Sequence, residues 1–389
     1  MIRISQHDQF IDGIASFVML LTRIPFYQIP RSKSMTRHWS LLLLVAMIFS
    51  MGASYKGCFL DPIEKDFLTT SSTYTFTGTI SEFSDAGKWV KNHNGQARLK
   101  KNGAYVTGWV DTVSGSYKFE NVALSDGVNV FSGDVRFQDT NGVWQTGVIP
   151  EVLVEKKTDL SSRGSQKVFL DWSDAGIDEL IEEMGEHTLS HAFTAAELDQ
   201  FSTDVKTKVQ NVIATAYNGM SIQFVNAGGA DVHTIKFYGD ERCDLYGESP
   251  GDYKNQNKTQ TSSIYIATFH CVVVDDNRLL NQTAAVQADT VAQRVIDLGN
   301  FIGRTAAHEM GHSLGLSSES GLHGCEGMHN CEAYDDANPS DRFDDGHYIM
   351  DPGPKSSIAA RIGQANSTER KTKVSKFNSY NKSYLNIIH

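Results

Sequence analysis

"HEMGHSLGLSSESGLHG", residues 308–324, sets two histidines four positions apart with a glutamate directly after the first. On a helix, residues four apart share one face, so His308 and His312 can hold a single metal ion. Zinc accepts imidazole nitrogens at about 2.0–2.1 Å in tetrahedral geometry. It also lowers the pKa of water to about 7, so a nearby carboxylate can take a proton during attack on a carbonyl. Glu309 stands where that carboxylate is needed, and it can return the proton to the leaving amine. The H-E-x-x-H spacing therefore carries a mechanism as well as a ligand pair. Gly315 follows at a position suited to a left-handed helix exit.

A second motif lies downstream, "HYIMDPG" at 347–353, with turn chemistry in its Met-Asp-Pro-Gly run. Taken together, the two motifs resemble the metzincin family of zinc metallopeptidases. In that family H-E-x-x-H-x-x-G is followed by a tight turn that carries a methionine beneath the zinc site. The resemblance makes Met350 the Met-turn residue and covers residues 166–389. It implies an α+β peptidase domain, one catalytic Zn2+, a protein or peptide substrate, and Glu309 as general base and then acid. It also implies that the strand before the zinc helix, within "SSIYIATFH" (262–270), borders the cleft and offers an exposed edge to an extended peptide. His347, just before the Met-turn, is either near that cleft or an ordinary surface histidine.

This chain departs from the family where the third ligand belongs, because Ser318 stands at that histidine's position. A catalytic zinc normally has three protein ligands and one open position. His323 is the first choice, since eight residues beyond Gly315 reach up to about 26 Å. Some family members resembling leishmanolysin carry an insertion at this point. Glu332 is the rival, because "EAYDD" resembles the E-A-x-x-D of thermolysin-like peptidases, with Asp336 as the supporting aspartate. His329 and Glu319 stay open behind these two. "HGCEGMHNC" also admits a second zinc site through His323, Cys325, His329 and Cys331, against the simpler Cys325–Cys331 disulfide. The acidic stretch 334–345 offers oxygen ligands to Ca2+ but lacks an EF-hand pattern, so it reads first as a solvated loop.

Upstream the texture is different. From Thr73 onward, "TYTFTGTI", "GAYVTGWV", "GSYKFENVAL", "VNVFSGDVRF" and "VIPEVLVE" alternate with turns such as "KNGA" and "LSDG". That spacing predicts an all-β sandwich over 73–157. It resembles the immunoglobulin-like modules of exported bacterial enzymes, and reads as a spacer or as a binding module. Residues 158–165, in a polar run without apolar periodicity, form the predicted linker to the α+β domain at 166–389. There "KVFLDW", "SIQFV", "HTIKFY" and "SSIYIATFH" read as strands. "FTAAELDQFSTDVKTKVQNVIATAY" reads as a helix opened by a Thr194/Glu197 capping box. A last helix is expected from about Ile358.

Residues 1–54 read as a targeting segment, with a signal peptide at 35–54 and an over-extended gene start before Met35. The apolar run Leu41–Met51 is shorter than the roughly 20 residues of a membrane-spanning helix. Residues 55–72 read as a linker. Export permits disulfides among the five cysteines, with Cys243–Cys271 as the second pair beside Cys325–Cys331. Cys58 resembles a lipid-modified cysteine, which would attach the chain to a membrane, although the usual upstream leucine is missing. It also has a weaker likeness to a zinc-masking pro-segment cysteine.

The 389 residues carry 46 acidic and 35 basic side chains, a formal charge of −11, which argues against nucleic-acid backbone binding. The expectation is an exported zinc endopeptidase, secreted or surface-attached. The alternative class is a surface binding protein whose peptidase fold has lost its third ligand.

Overall fold

A computed structural model describes residues 55–61, 66–83, 89–91, 95–138, 142–188, 193–240, 242–275, 290–316, 348–350 and 377–389. The chain divides into two compact units, Met1–Asp66 with Ser71–Lys156, and Phe67–Thr70 with Lys157–His389.

The strands of the first half are β1 (Tyr55–Asp61), β2 (Asp66–Thr69), β3 (Thr73–Phe83), β4 (Trp89–Lys91) and β5 (Gly95–Lys101). They continue as β6 (Ala104–Tyr105), β7 (Val110–Asp111), β8 (Ser116–Ala123), β9 (Gly127–Gln138) and β10 (Trp144–Lys156). In one antiparallel sheet β3 pairs with β1, β4 and β8. In the other, β9 lies between β10 and β5, with β6 and β7 on the far side of β5. Alternation decides what each strand buries. Phe131, Val135 and Phe137 of β9 are buried, while Ser132, Asp134 and Arg136 point to the other face. Phe76 of β3 meets Phe131 at 4.5 Å between ring centroids, so the two sheets pack face to face.

Two expectations change here. "GAYVTGWV" is no single strand, because β6 and β7 are two-residue pieces that pair separately with β5. Within the stretch expected as linker, Tyr55–Asp61 and Asp66–Thr69 are strands, with Cys58 opposite Ile80 in the β1–β3 ladder. Its Phe67–Thr70 part belongs to the second unit, where Leu68 is buried and its N–H donates to Ser383 Oγ at 2.8 Å.

The second unit is mixed α and β. Its sheet runs β12 (Ile222–Val225), β11 (Gln166–Asp171), β13 (Val232–Tyr238), β15 (Thr261–Tyr265) and β14 (Gly247–Glu248). All neighbours are parallel except β14, which runs antiparallel to β15 at the end of the order. The expected edge strand over 262–270 is therefore corrected on two counts. β15 is flanked on both sides, and from Ile266 the chain turns into the short helix α3 (Ile266–His270). The edge position falls to Gly247–Glu248, a strand too short to leave a period-2 signature.

Helices α1 (Ile177–Thr188), α2 (Ala195–Ala216), α4 (Val291–Ser313) and α5 (Ser379–Ile388) belong to the same unit. α2 has both halves of the Thr194/Glu197 capping box. α4 is buried along most of its length, and small residues let it pack closely: a Cβ on Gly303 would lie 2.8 Å from Val212 Cβ of α2. Tyr217, just past α2, donates its buried hydroxyl to the Ala307 carbonyl at 2.8 Å. Cys243 and Cys271 form the expected disulfide. No helix among the described residues is long and apolar enough to cross a membrane. The targeting segment and the helix expected from Ile358 lie outside the described residues, as do Cys325 and Cys331.

Candidate metal centre

The last two turns of α4 carry His308, Glu309 and His312. Its end follows from Gly315, which adopts φ +103°, a region that other residues rarely occupy. Leu316 N–H donates to the Gly311 carbonyl and Gly315 N–H to the His312 carbonyl, both at 3.0 Å. That pair of bonds is a Schellman exit. It turns the Leu316 carbonyl back over the helix, where it accepts from His312 Nδ1 at 2.8 Å. His308 Nδ1 donates in the same way to the Ile349 carbonyl at 2.6 Å.

These two bonds fix the chemistry of the rings. With each Nδ1 holding a proton for a carbonyl, each Nε2 presents a lone pair. The two Nε2 atoms face one another at 3.1 Å, with ring planes at 89°. Two neutral imidazoles oriented this way have no proton to share between them. Their separation is close to the roughly 3.3 Å of two nitrogens on one tetrahedral zinc. Carbonyl partners on Nδ1 are also the usual support for metal-binding histidines. The pair therefore fits a cation.

Glu309 is buried and lies against the edge strand. A Cβ on Gly247 would stand 2.8 Å from Glu309 Cγ and 3.1 Å from Oε1, so only a glycine lets the carboxylate sit there. Met350 is 1% exposed and packs beneath the helix, where a Cβ on Gly311 would stand 2.7 Å from its sulfur. Segment 348–350 thus supplies both a carbonyl for His308 and a methionine packed against Gly311.

A buried polar cluster continues from the site into the sheet. Ser262 Oγ of β15 lies 2.7 Å from Ser249 Oγ, 3.1 Å from Ser313 Oγ and 3.1 Å from His233 Nε2. Ser249 and Ser313 also bond to one another. Burial lowers the His233 pKa to about 4, so its imidazole is neutral at neutral pH. The cluster ties Ser313, next to His312, to two strands. Serines scattered over 64 positions with no shared period gave no sign of it.

Among the described residues, no third His, Cys, Asp or Glu joins the two histidines. His323, Glu332, Asp336, His329, Glu319, His347 and the acidic stretch 334–345 all lie outside the described residues.

No family model matches the chain, and neither does any curated protein. Among solved structures, CopC from Methylosinus trichosporium OB3b is similar over 27% of this chain and 99% of its own, at 17% identity and TM-score 0.19. The CARDB domain of a Pyrococcus furiosus protein, in complex with di-metal ions, is similar over 27% and 96%, at 10% identity and TM-score 0.18. Similarities of this size establish neither a fold nor an activity for this chain.

Proposed function

We propose that the second unit is a metzincin-like zinc endopeptidase, exported from the cell and carrying an immunoglobulin-like β unit ahead of it. The observation that carries this reading is the pair of facing Nε2 atoms, each ring fixed by a carbonyl, with Glu309 buried one residue away. Met350 under the helix and a sheet with one antiparallel edge strand add support. The Cys243–Cys271 disulfide is compatible with an exported protein.

His308 and His312 hold the ion, and His323 completes the ligand set in this reading. A bound zinc supplies Lewis acidity at the scissile carbonyl and acidifies water there. Glu309 takes the proton from the attacking water and delivers it to the departing amine. Gly247 keeps the carboxylate in place by leaving room for it. The outer side of β14 offers main-chain groups to an extended peptide, which aligns the substrate by strand addition.

The test is zinc content and casein cleavage of the whole protein beside Glu309→Gln and His323→Ala. Glu309→Gln is expected to retain zinc and to lose about 10²–10⁴-fold in cleavage. His323→Ala is expected to lose both zinc and cleavage. Near-normal cleavage in Glu309→Gln would overturn the mechanism. Zinc retained in His323→Ala would move the third ligand to Glu332. One zinc per chain with no cleavage of any unfolded protein would make this a binding protein on a peptidase fold.

A further inference from the structure

We propose that the outer face of the β10-β9-β5 sheet binds a uronate-bearing polysaccharide, with a sugar ring on Trp144 and its carboxylate on Arg136. The site is an open recess of about 550 Å³ lined by Gly95, Gln96, Asp111, Thr112, Arg136 and Trp144. It lies wholly within the first unit and has no part in the peptidase chemistry.

Two observations point to a ligand. Trp144 is 56% exposed, although an indole of its size is ordinarily covered in a folded domain. Arg136 lies between two indoles, its guanidinium carbon 4.4 Å from the Trp109 ring centroid and 5.8 Å from that of Trp144.

Charge decides the class of ligand. Along this face Arg98 and Lys100 share the single carboxylate of Asp134, which leaves the pair with a net positive charge. Arg136 adds to it without a carboxylate of its own: its Nε donates to the neutral Gln96 Oε1 at 2.7 Å, and Nη2 donates to the same oxygen. Gln96 in turn donates to Asp111 at 2.6 Å, which engages that carboxylate on the far side of the amide. The guanidinium therefore keeps an unanswered charge and a free Nη1 edge among the described residues. Guanidinium edges bind carboxylates with directed, charge-assisted bonds. An aromatic plate beside such a group suits a pyranose ring that carries its carboxylate on the ring edge. Asp111, which also lines the recess, is then placed for a hydroxyl.

Affinity electrophoresis of the whole protein tests this. Native gels would contain polygalacturonate, alginate or hyaluronate, with fully methyl-esterified polygalacturonate and polyglutamate as controls. At least one uronate polymer is expected to retard the protein, and the esterified polymer and polyglutamate are not. Trp144→Ala and Arg136→Gln, checked for unchanged thermal unfolding, are each expected to weaken retardation about tenfold. Should Arg136→Gln disturb the fold through Gln96, the exposed Trp144→Ala still carries the test. Retardation by none of the three uronates would overturn the proposal. So would equal retardation by the esterified polymer or polyglutamate, or binding unchanged in both variants.

Discussion

The outer sheet face of the first unit and the end of α4 in the second both gather nitrogen-rich side chains, and they treat them in opposite ways. On the sheet, Arg98, Arg136 and Lys100 stand beside aromatic rings at the surface, held mostly by other side chains. At the helix end, His308 and His312 are each held by a main-chain carbonyl, and His312 is buried. Side chains held by side chains can adjust when one is lost. Rings held by carbonyls move only if the backbone moves. The comparison therefore predicts that one methyl group will do more damage at the helix site than the loss of a whole indole on the sheet.

Gly315→Ala is the sharpest way to break that contrast. The new Cβ would need φ +103° and would stand 2.1 Å from the Tyr384 hydroxyl. A loss of about 3 to 4 kcal/mol is expected from the strained backbone and the overlap together. Because the same turn aims the Leu316 carbonyl at His312, zinc affinity should fall with stability. Urea unfolding and zinc titration measure the two; an alanine variant with full stability and unchanged zinc binding would break the link between exit and ligand.

His233 extends the comparison to pH. Its folded pKa of about 4 lies below the ordinary 6.5, so the unfolded chain binds a proton that the folded chain refuses between those values. Stability is complete above pH 6.5 and declines as pH falls toward 4, by about 3 kcal/mol from this residue. In His233→Asn the loss across that window should be smaller by that amount, read from urea midpoints at pH 7, 5.5 and 4. Parallel curves would mean that the serine cluster accommodates the charged ring.

The sequence reveals these two regions unequally, and the reason is physical. Helical periodicity makes the His308–His312 pair legible, and the same is true of α2 with its capping box. α1 had a signal too, in Ile177, Ile181 and Met184, now all buried, but its acidic remainder hid it. The carbonyls of Ile349 and Leu316 were illegible because a main-chain acceptor has no letter. β14 is illegible because two residues have no period, so the resemblance alone assigns the exposed edge, and assigns it to β15. On the sheet face, Trp109 and Arg136 meet only because β5, β7 and β9 pair in one register. Such pairing across 27 positions is a property of topology, which alternation alone does not specify.

Gly247→Ala separates placement from binding. A Cβ there would meet Glu309 Cγ at 2.8 Å and Ser263 O at 3.0 Å, so the carboxylate must shift. A displacement near 1 Å costs roughly 100-fold in rate. Zinc content should stay unchanged, because the atoms nearest the new Cβ belong to Glu309 and Ser263 and not to a histidine. A kcat lowered with zinc retained supports β14 as the wall that places the base; loss of zinc would make β14 part of the metal site's own scaffold.

Trp144→Ala is the smallest expected effect and tests the other side of the contrast. With 56% of Trp144 exposed and its strand partner Gln138 bonded through the main chain, removing the indole leaves the ladder intact. A stability change within about 0.5 kcal/mol is expected by urea unfolding, as for surface substitutions elsewhere. The cationic group beneath it loses only a ring 5.8 Å away and keeps Trp109 at 4.4 Å. A loss above about 2 kcal/mol would show that the sheet face is a packed structure in its own right. The indole would then be part of the fold, and its exposure would no longer speak for a ligand.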